Sequence, residues 1–249
     1  MTLSVLVLSN LDERLAWLKH RLRFLYVSGH QGETVVGVWG GHDKIPDLQS
    51  FCDALSPQIR VVSQSGEQRI TSRIIDLAKG AIGEHVVMQG DDDFLLPSAF
   101  ENPLHLLKND ASVLCAQGRV MSLALGQGPT MIDWFPLWQA LEDETLPRFS
   151  GFMKNACTTW HAMYRRAQFI ERMSYMDEAL VNTKVYGFYE ALGELYSVIK
   201  GKIVIFDEIY LVKGLHSQSG AHTFKQGLSD KMPPYIVTVP RQTLLDRLR

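Results

Sequence analysis

Cysteine is scarce in this 249-residue chain, which has only Cys52, Cys115 and Cys157. They lie far apart, their number is odd and no C-x-x-C spacing occurs, so neither a disulfide framework nor a cysteine-held zinc site is implied. A reducing cytosol is the simpler setting. An excess of one charge is also lacking. The 25 Lys and Arg residues against 27 Asp and Glu leave a formal charge of -2. Such a balance provides no global field for nucleic acid or an anionic membrane, although a local basic patch stays open. Long apolar runs are missing as well: no stretch approaches the roughly 20 residues that a membrane helix needs. Met1 to Asn10 carries no basic n-region, and its apolar run stops after Leu8, so no signal peptide is expected. A cytoplasmic location is the expectation. The chain shows no internal repeat and no low-complexity tract.

What is present is an ordinary globular composition, 46% hydrophobic and 21% charged. The length suits one large α/β domain or two small ones. Leu3 to Leu8 reads as a strand buried on both faces. Asn10 or Asp12 is placed to cap a helix over Glu13 to Tyr26, where Leu15, Leu18, Leu22 and Leu25 keep helical spacing. Thr34 to Trp39 and Ile59 to Ser63 read as strands, Ile45 to Leu55 and Arg69 to Lys79 as helices, and His85 to Met88 as a fourth strand. Strands alternating with helices at such intervals predict an α/β fold with a mainly parallel central sheet and flanking helices.

Beyond Pro97 the pattern changes. Phe100 to Lys108, Arg166 to Met173 and Val185 to Ile199 read as helices. Ala111 to Ala116, Thr158 to Tyr164, Lys202 to Phe206 and Ile209 to Val212 read as strands. Leu125 to Phe149, with its glycines, prolines and two tryptophans, reads as a long loop and a candidate lid. A short amphipathic helix is expected over Arg241 to Arg249.

The most informative feature is Asp91-Asp92-Asp93, directly after the fourth strand. Ligands of open α/β sheets bind beyond the carboxyl ends of the strands. Three adjacent carboxylates repel one another, and burying them without counter-charge is costly. A divalent cation with bound diphosphate supplies that charge, and hard oxygen ligands suit Mg²⁺ or Mn²⁺. The alternative at this point is a solvated acidic turn. Arg69 and Arg73, one turn apart on the preceding helix, could reach a diphosphate or the carboxylates, or could form a solvated face.

The stretch HVVMQGDDDFLLPSAFENPLHLL resembles the D-x-D region of glycosyltransferases with the GT-A fold, notably a family-2-like bacterial group with a DDDF motif. LSVLVLSNLDERLAWLKHR at Leu3 to Arg21 looks like that family's opening strand and helix. QRITSRIIDLAK at Gln68 to Lys79 looks like the helix before its metal strand. Glu190 to Gly201, with the following KIVIFDEIYLVKGLH, resembles its closing helix, glycine and strand pair. The resemblance spans roughly residues 3 to 220.

This resemblance implies a metal-dependent transferase that moves a sugar from a nucleotide diphosphate sugar to an acceptor hydroxyl with inversion. A single domain is expected over 1–220, with a nucleotide-sugar half at 1–98, an acceptor half at 99–220 and a tail at 221–249. Asp91 and Asp93 are the implied metal ligands, joined by His216, with His222 close enough to substitute. Asp92, Arg69, Arg73, Asp43 and Trp39 form the expected nucleotide-sugar set. Trp39 departs from the family pattern, which often places an aspartate there, so it either stacks on the base or fills core. Glu190 matches the general base, with Asp177 and Glu178 as rivals.

The acceptor is left open among polysaccharide, lipid-linked sugar, protein and modified nucleic acid. Two other classes stand beside this reading. A nucleotidyltransferase would need a glycine-rich basic loop after strand one, which SNLDERL is not. A non-catalytic nucleotide- or sugar-binding module would not need Glu190.

Overall fold

The computed structural model describes residues 2–124, 132–134, 138–155, 158–179 and 188–215. A compact unit runs Met1–Gly214, and the remainder, Leu215–Arg249, forms a second unit. His216, His222 and the expected helix over 241–249 lie outside the described residues.

The sheet begins with β1 (Leu3–Asn10), β2 (Glu33–Trp39), β3 (Ile59–Ser63) and β4 (His85–Gly90). All three pairings among them are parallel, in the order β3-β2-β1-β4. Alternation along β1 explains why it lies at the centre. Leu3, Val5 and Val7 enter one apolar layer and Leu6 the other, as side chains of successive strand residues must. The first layer holds Leu18, Leu22 and Leu25 of α1 (Leu11–Val27), with Leu48 and Cys52 of α2 (Ile45–Leu55). The second holds Ile74, Leu77 and Ala78 of α3 (Ile70–Gly80). Helices therefore cover both faces, which is what a parallel half requires. Asn10 caps α1, accepting from the Asp12 amide at 3.2 Å.

Beyond β4 the sheet reverses direction. Four elements lead into this half: β5 (Asp93–Leu95), α4 (Glu101–Asn109), β6 (Val113–Ala124) and β7 (Ile132–Trp134). After α5 (Thr145–Asn155) come β8 (Met163–Arg165), α6 (Arg166–Ala179), α7 (Phe188–Lys200) and β9 (Lys202–Leu215). β8 pairs antiparallel with both β4 and β6, and β5 pairs antiparallel with β9. The result is a mixed α/β fold with a curled sheet and flanking helices.

Several boundaries differ from the sequence reading. The two expected closing strands are one, β9, and Thr158 to Tyr164 contributes strand only from Met163. The described part of the expected long loop is not a free lid. Ala140 exchanges two backbone hydrogen bonds with Ile203, at 3.1 and 2.9 Å. Trp138 packs on Phe152, and α5 begins at Thr145. Arg148, 5% exposed, fixes this segment: it donates to the Val198 and Ile199 carbonyls in the last turn of α7 and to those of Glu142 and Asp143. A helix end leaves such carbonyls without intrahelical partners, and an arginine fork satisfies several together. Pro147, tolerated in a first helical turn, hid α5 from the sequence reading.

Candidate active site

The aspartate triplet stands where β4 ends. Gly90 makes room for it, since a Cβ there would lie 2.6 Å from Asp93 Oδ2. Gln89 Nε2 donates to the Asp93 carbonyl at 3.0 Å and closes the turn into β5.

Each carboxylate has a different neighbourhood. Asp91, 9% exposed, accepts from Ser9 Oγ at 2.7 Å and lies 3.6 Å from Arg14 Nη1. Burial pushes its pKa up, against the pull of Ser9 and Arg14. Asp92 takes Arg14 Nη1 at 3.1 Å. Asp93, 4% exposed, faces His161 Nε2 at 3.3 Å. Burial raises the Asp93 carboxyl to about 7, and the positive charges of Lys213 and Arg21 oppose that rise. The same burial, reinforced by Lys213, pushes the His161 imidazole down to about 3.

Arg21 is 1% exposed and its guanidinium stacks 3.1 Å from the Phe94 ring centroid. None of its three nitrogens has a hydrogen-bond partner. All three aspartates nevertheless act on its charge. Arg14, Arg21 and Lys213 thus supply counter-charge to the cluster, where the sequence suggests a metal ion or Arg69 and Arg73. The spacing of Arg14 and Arg21 carried a usable signal: seven residues apart, they share one face of α1. His161 carried none, because its partner depends on strand pairing.

The other expected site residues fall into separate groups. Arg69 does not reach the cluster. It grips Asp177 of α6, which also accepts from Thr71 and Ser72. These bonds hold the Asp177 carboxyl down at about 2, a poor value for a general base near neutrality. Arg73 does not reach the cluster either. Its Nε and Nη2 donate to the Ser65 and Gly66 carbonyls, and its guanidinium covers the half-buried Trp39 ring at 4.3 Å. Trp39 is therefore not simple core filling; with Arg73 it forms a cation–π pair at the carboxyl edge of β2. Beyond it, β2 leaves through Gly40 and Gly41, whose φ values of 65° and 48° suit glycine. Asp43 lies exposed on the short 3-10 turn His42–Lys44.

Glu190 is exposed in the first turn of α7, and Glu178 is exposed near the end of α6. One turn past Glu190, Glu194 turns inward and is bonded to Thr158 and Thr159. Burial lifts its carboxyl to about 7, although Arg172 opposes the shift. The segment holding Glu194 also carries His161, so α7 leans on the same stretch of chain that meets Asp93.

The fold belongs to a known architectural class. No family model matches the chain, and no curated protein matches it in sequence. Among solved structures, Staphylococcus aureus TarS residues 1–349 in complex with UDP-GlcNAc shares the fold. The TM-score is 0.60 at 14% identity, over 94% of this chain and 62% of that one. The same protein in complex with UDP gives a TM-score of 0.55 at 14% identity, over 87% and 61%. Longer TarS gives 0.53 at 13%, over 88% and 37%. The chain thus spans less than two thirds of each of these structures.

Proposed function

We propose that this chain is a glycosyltransferase that moves a sugar from a nucleotide diphosphate sugar to an acceptor hydroxyl. The observation that carries the reading is the carboxylate cluster at the end of β4, buried against Ser9 at the end of β1. Ligands of open α/β sheets gather at such a place. The shared fold with a protein crystallised with UDP-GlcNAc adds support.

The residues suit a divalent cation, Mn²⁺ or Mg²⁺. Asp91 and Asp93 offer hard oxygen donors one residue apart. Among the described residues no three His, Cys, Asp or Glu side chains converge on one point. Mg²⁺ is commonly held by one or two carboxylates together with substrate phosphates. Asp93 with Asp91 would hold the ion. Such an ion, when bound, neutralises charge on the leaving diphosphate.

The remaining roles belong to the chain. Arg14 positions Asp91 and Asp92. Trp39, with Arg73 on one face, is the surface offered to the nucleotide base, and Asp43 lies just beyond. Glu190, in the acceptor half of 99–220, takes the proton from the acceptor hydroxyl as that oxygen attacks the anomeric carbon. Displacement from the opposite side gives inversion.

The test is a donor screen by nucleotide release, with and without Mn²⁺, followed by mass analysis of the modified acceptor. Release of nucleoside diphosphate with an acceptor gaining one sugar mass is expected. Incorporation of a nucleotidyl group, or no turnover with any donor, would overturn the assignment.

A further inference from the structure

The second half of the chain carries a groove that the proposed reaction leaves unused. Glu171, early in α6, takes Lys200 Nζ from the end of α7 at 3.0 Å. Tyr175 lies against Tyr196 with ring centroids 5.3 Å apart. The two helices therefore run antiparallel, side by side. Along them lies a cavity of about 440 Å³, within the size range of small-molecule sites.

Its two walls differ in chemistry. α6 contributes Glu171, Ser174, Tyr175 and Glu178, and α7 contributes Leu192, Leu195, Tyr196 and Ile199. Each set keeps the i, i+3, i+4, i+7 spacing of a single helix face. One wall is thus mostly polar and the other mostly apolar, with a tyrosine on each. Tyr175 is 49% exposed. Glu171 also accepts from the Tyr196 hydroxyl, so one carboxylate holds both the deeper ring and the Lys200 ammonium in place. A further helix packed here would have to desolvate Glu171 and Glu178, which is costly. A polyanion would meet two carboxylates and only one lysine. A sugar ring suits both walls. Its C–H face can lie on tyrosine and leucine, while its hydroxyl edge bonds the carboxylates, Ser174 and Lys200.

We propose that this groove is an anchoring subsite for a neutral polysaccharide acceptor. The inference rests on the glycosyltransferase reading above and names the class of acceptor that it left open. Position supports the role. Asp177, beside Glu178, is gripped by Arg69 at the start of α3, on the side of the sheet where β4 delivers the aspartates. The Glu178 end of the groove lies on that side, and so does Glu190 in the first turn of α7. By helical spacing Glu190 shares a face with Glu194, opposite Leu195 and Ile199. A sugar in the groove is therefore about one helix diameter, roughly 10–12 Å, from the base and does not itself react. From Leu192 to Lys200 the groove follows α7 for about 12 Å, more than one ring. A chain lying there keeps its free end near the reaction site, which raises the effective concentration of that end.

Saturation-transfer difference NMR on the full chain, without donor or metal, reads the groove directly. Maltohexaose, cellohexaose and chitohexaose are the glycan probes, and decyl maltoside is the apolar-chain probe. At least one hexaose should receive saturation on its ring C–H protons and bind more tightly than its disaccharide. Tyr175→Ala should weaken that binding about 3- to 10-fold, the scale of one aromatic contact, and Tyr175→Phe should restore it. Glu178→Ala, at an exposed position, should weaken it as well and keeps the test open if Tyr175→Ala does not fold. With the donor found in the screen, the hexaose should exceed its disaccharide in kcat/KM, and Tyr175→Ala should narrow that advantage.

Binding of none of the hexaoses, or equal binding by wild type and both alanine variants, overturns the subsite. Saturation confined to the decyl chain overturns it in favour of an apolar partner. A kcat/KM advantage that Tyr175→Ala leaves intact overturns the anchoring role. Hexaose binding at the groove in a chain that fails the donor screen sinks the transferase reading and leaves a glycan-binding surface.

Discussion

Glu194→Gln should make the protein more stable above neutrality and leave it unchanged in acid. Burial holds the Glu194 carboxyl at about 7 against an ordinary 4.5. A native pKa above the unfolded one means that folding favours the protonated form. Wild-type stability therefore falls as pH rises from the unfolded value through about 7, and then levels off. At about 1.4 kcal/mol per pH unit, that interval caps the effect at roughly 3 kcal/mol. The side chain keeps part of its surface in water, which reduces the expected gain to about 1–2 kcal/mol at about pH 8. Urea titrations of both proteins check this. The midpoints should coincide near pH 4 and separate near pH 8 with equal slopes, glutamine being the more stable. A glutamine variant less stable at pH 8 would refute the reasoning. It would mean that the ionised carboxylate is held by Arg172, whose Nη1 and Nη2 are buried without hydrogen-bond partners, more strongly than burial opposes it.

Glu190→Gln keeps shape but loses the base. Turnover should fall roughly 10²–10⁴-fold, in kcat and kcat/KM together, with UDP affinity unchanged by calorimetry. Near-wild-type turnover would move the base elsewhere on α6 or α7. Asp177→Asn should lower the urea midpoint at neutral pH, because the depressed carboxylate stabilises the fold above its ordinary value of 3.8 and loses that effect as pH falls toward about 2. Equal midpoints at pH 7 would show that the clasp with Arg69 contributes nothing. Arg148→Met should cost about 1–3 kcal/mol by chemical denaturation, because it leaves buried carbonyls unpaired, and Arg148→Lys should recover part of it. A loss below 1 kcal/mol would deny the segment its anchor.

The parallel half was legible because each of its signals is local. Apolar runs of strand length, the Asn10 cap and the leucine spacing of α1 depend on neighbours in sequence. So does the placing of the aspartates after β4. The second half was less legible because its strands are defined by distant partners. β9 runs through Phe206 to Glu208, a point where hydrophobic patterning alone suggests a break, and β8 is too short to announce itself. The site shows the same division. Asp91, Asp92 and Asp93 are adjacent and could be found together. Arg69 and Arg73 lie on the expected helix, yet Asp177 and Trp39 claim them from other elements. His161 and Lys213 reach the triplet only through β8 and β9. No spacing in one sequence encodes those meetings.

The reversal of the sheet at β4 has a consequence for how the second half can vary. β8 runs antiparallel to β4, with Met163 opposite Val87 and Arg165 opposite His85. The residues entering β8 therefore arrive beside the end of β4 where the aspartates emerge. One residue separates His161 from Met163, so the histidine sits in the turn that leads directly into β8, closed by the Ala162 amide donating to the Thr159 carbonyl at 3.1 Å. Inserting a single residue between them would displace the histidine from its place beside Asp93 and Met88. The two residues before β8 are thus fixed in count by the contact that His161 makes with Asp93.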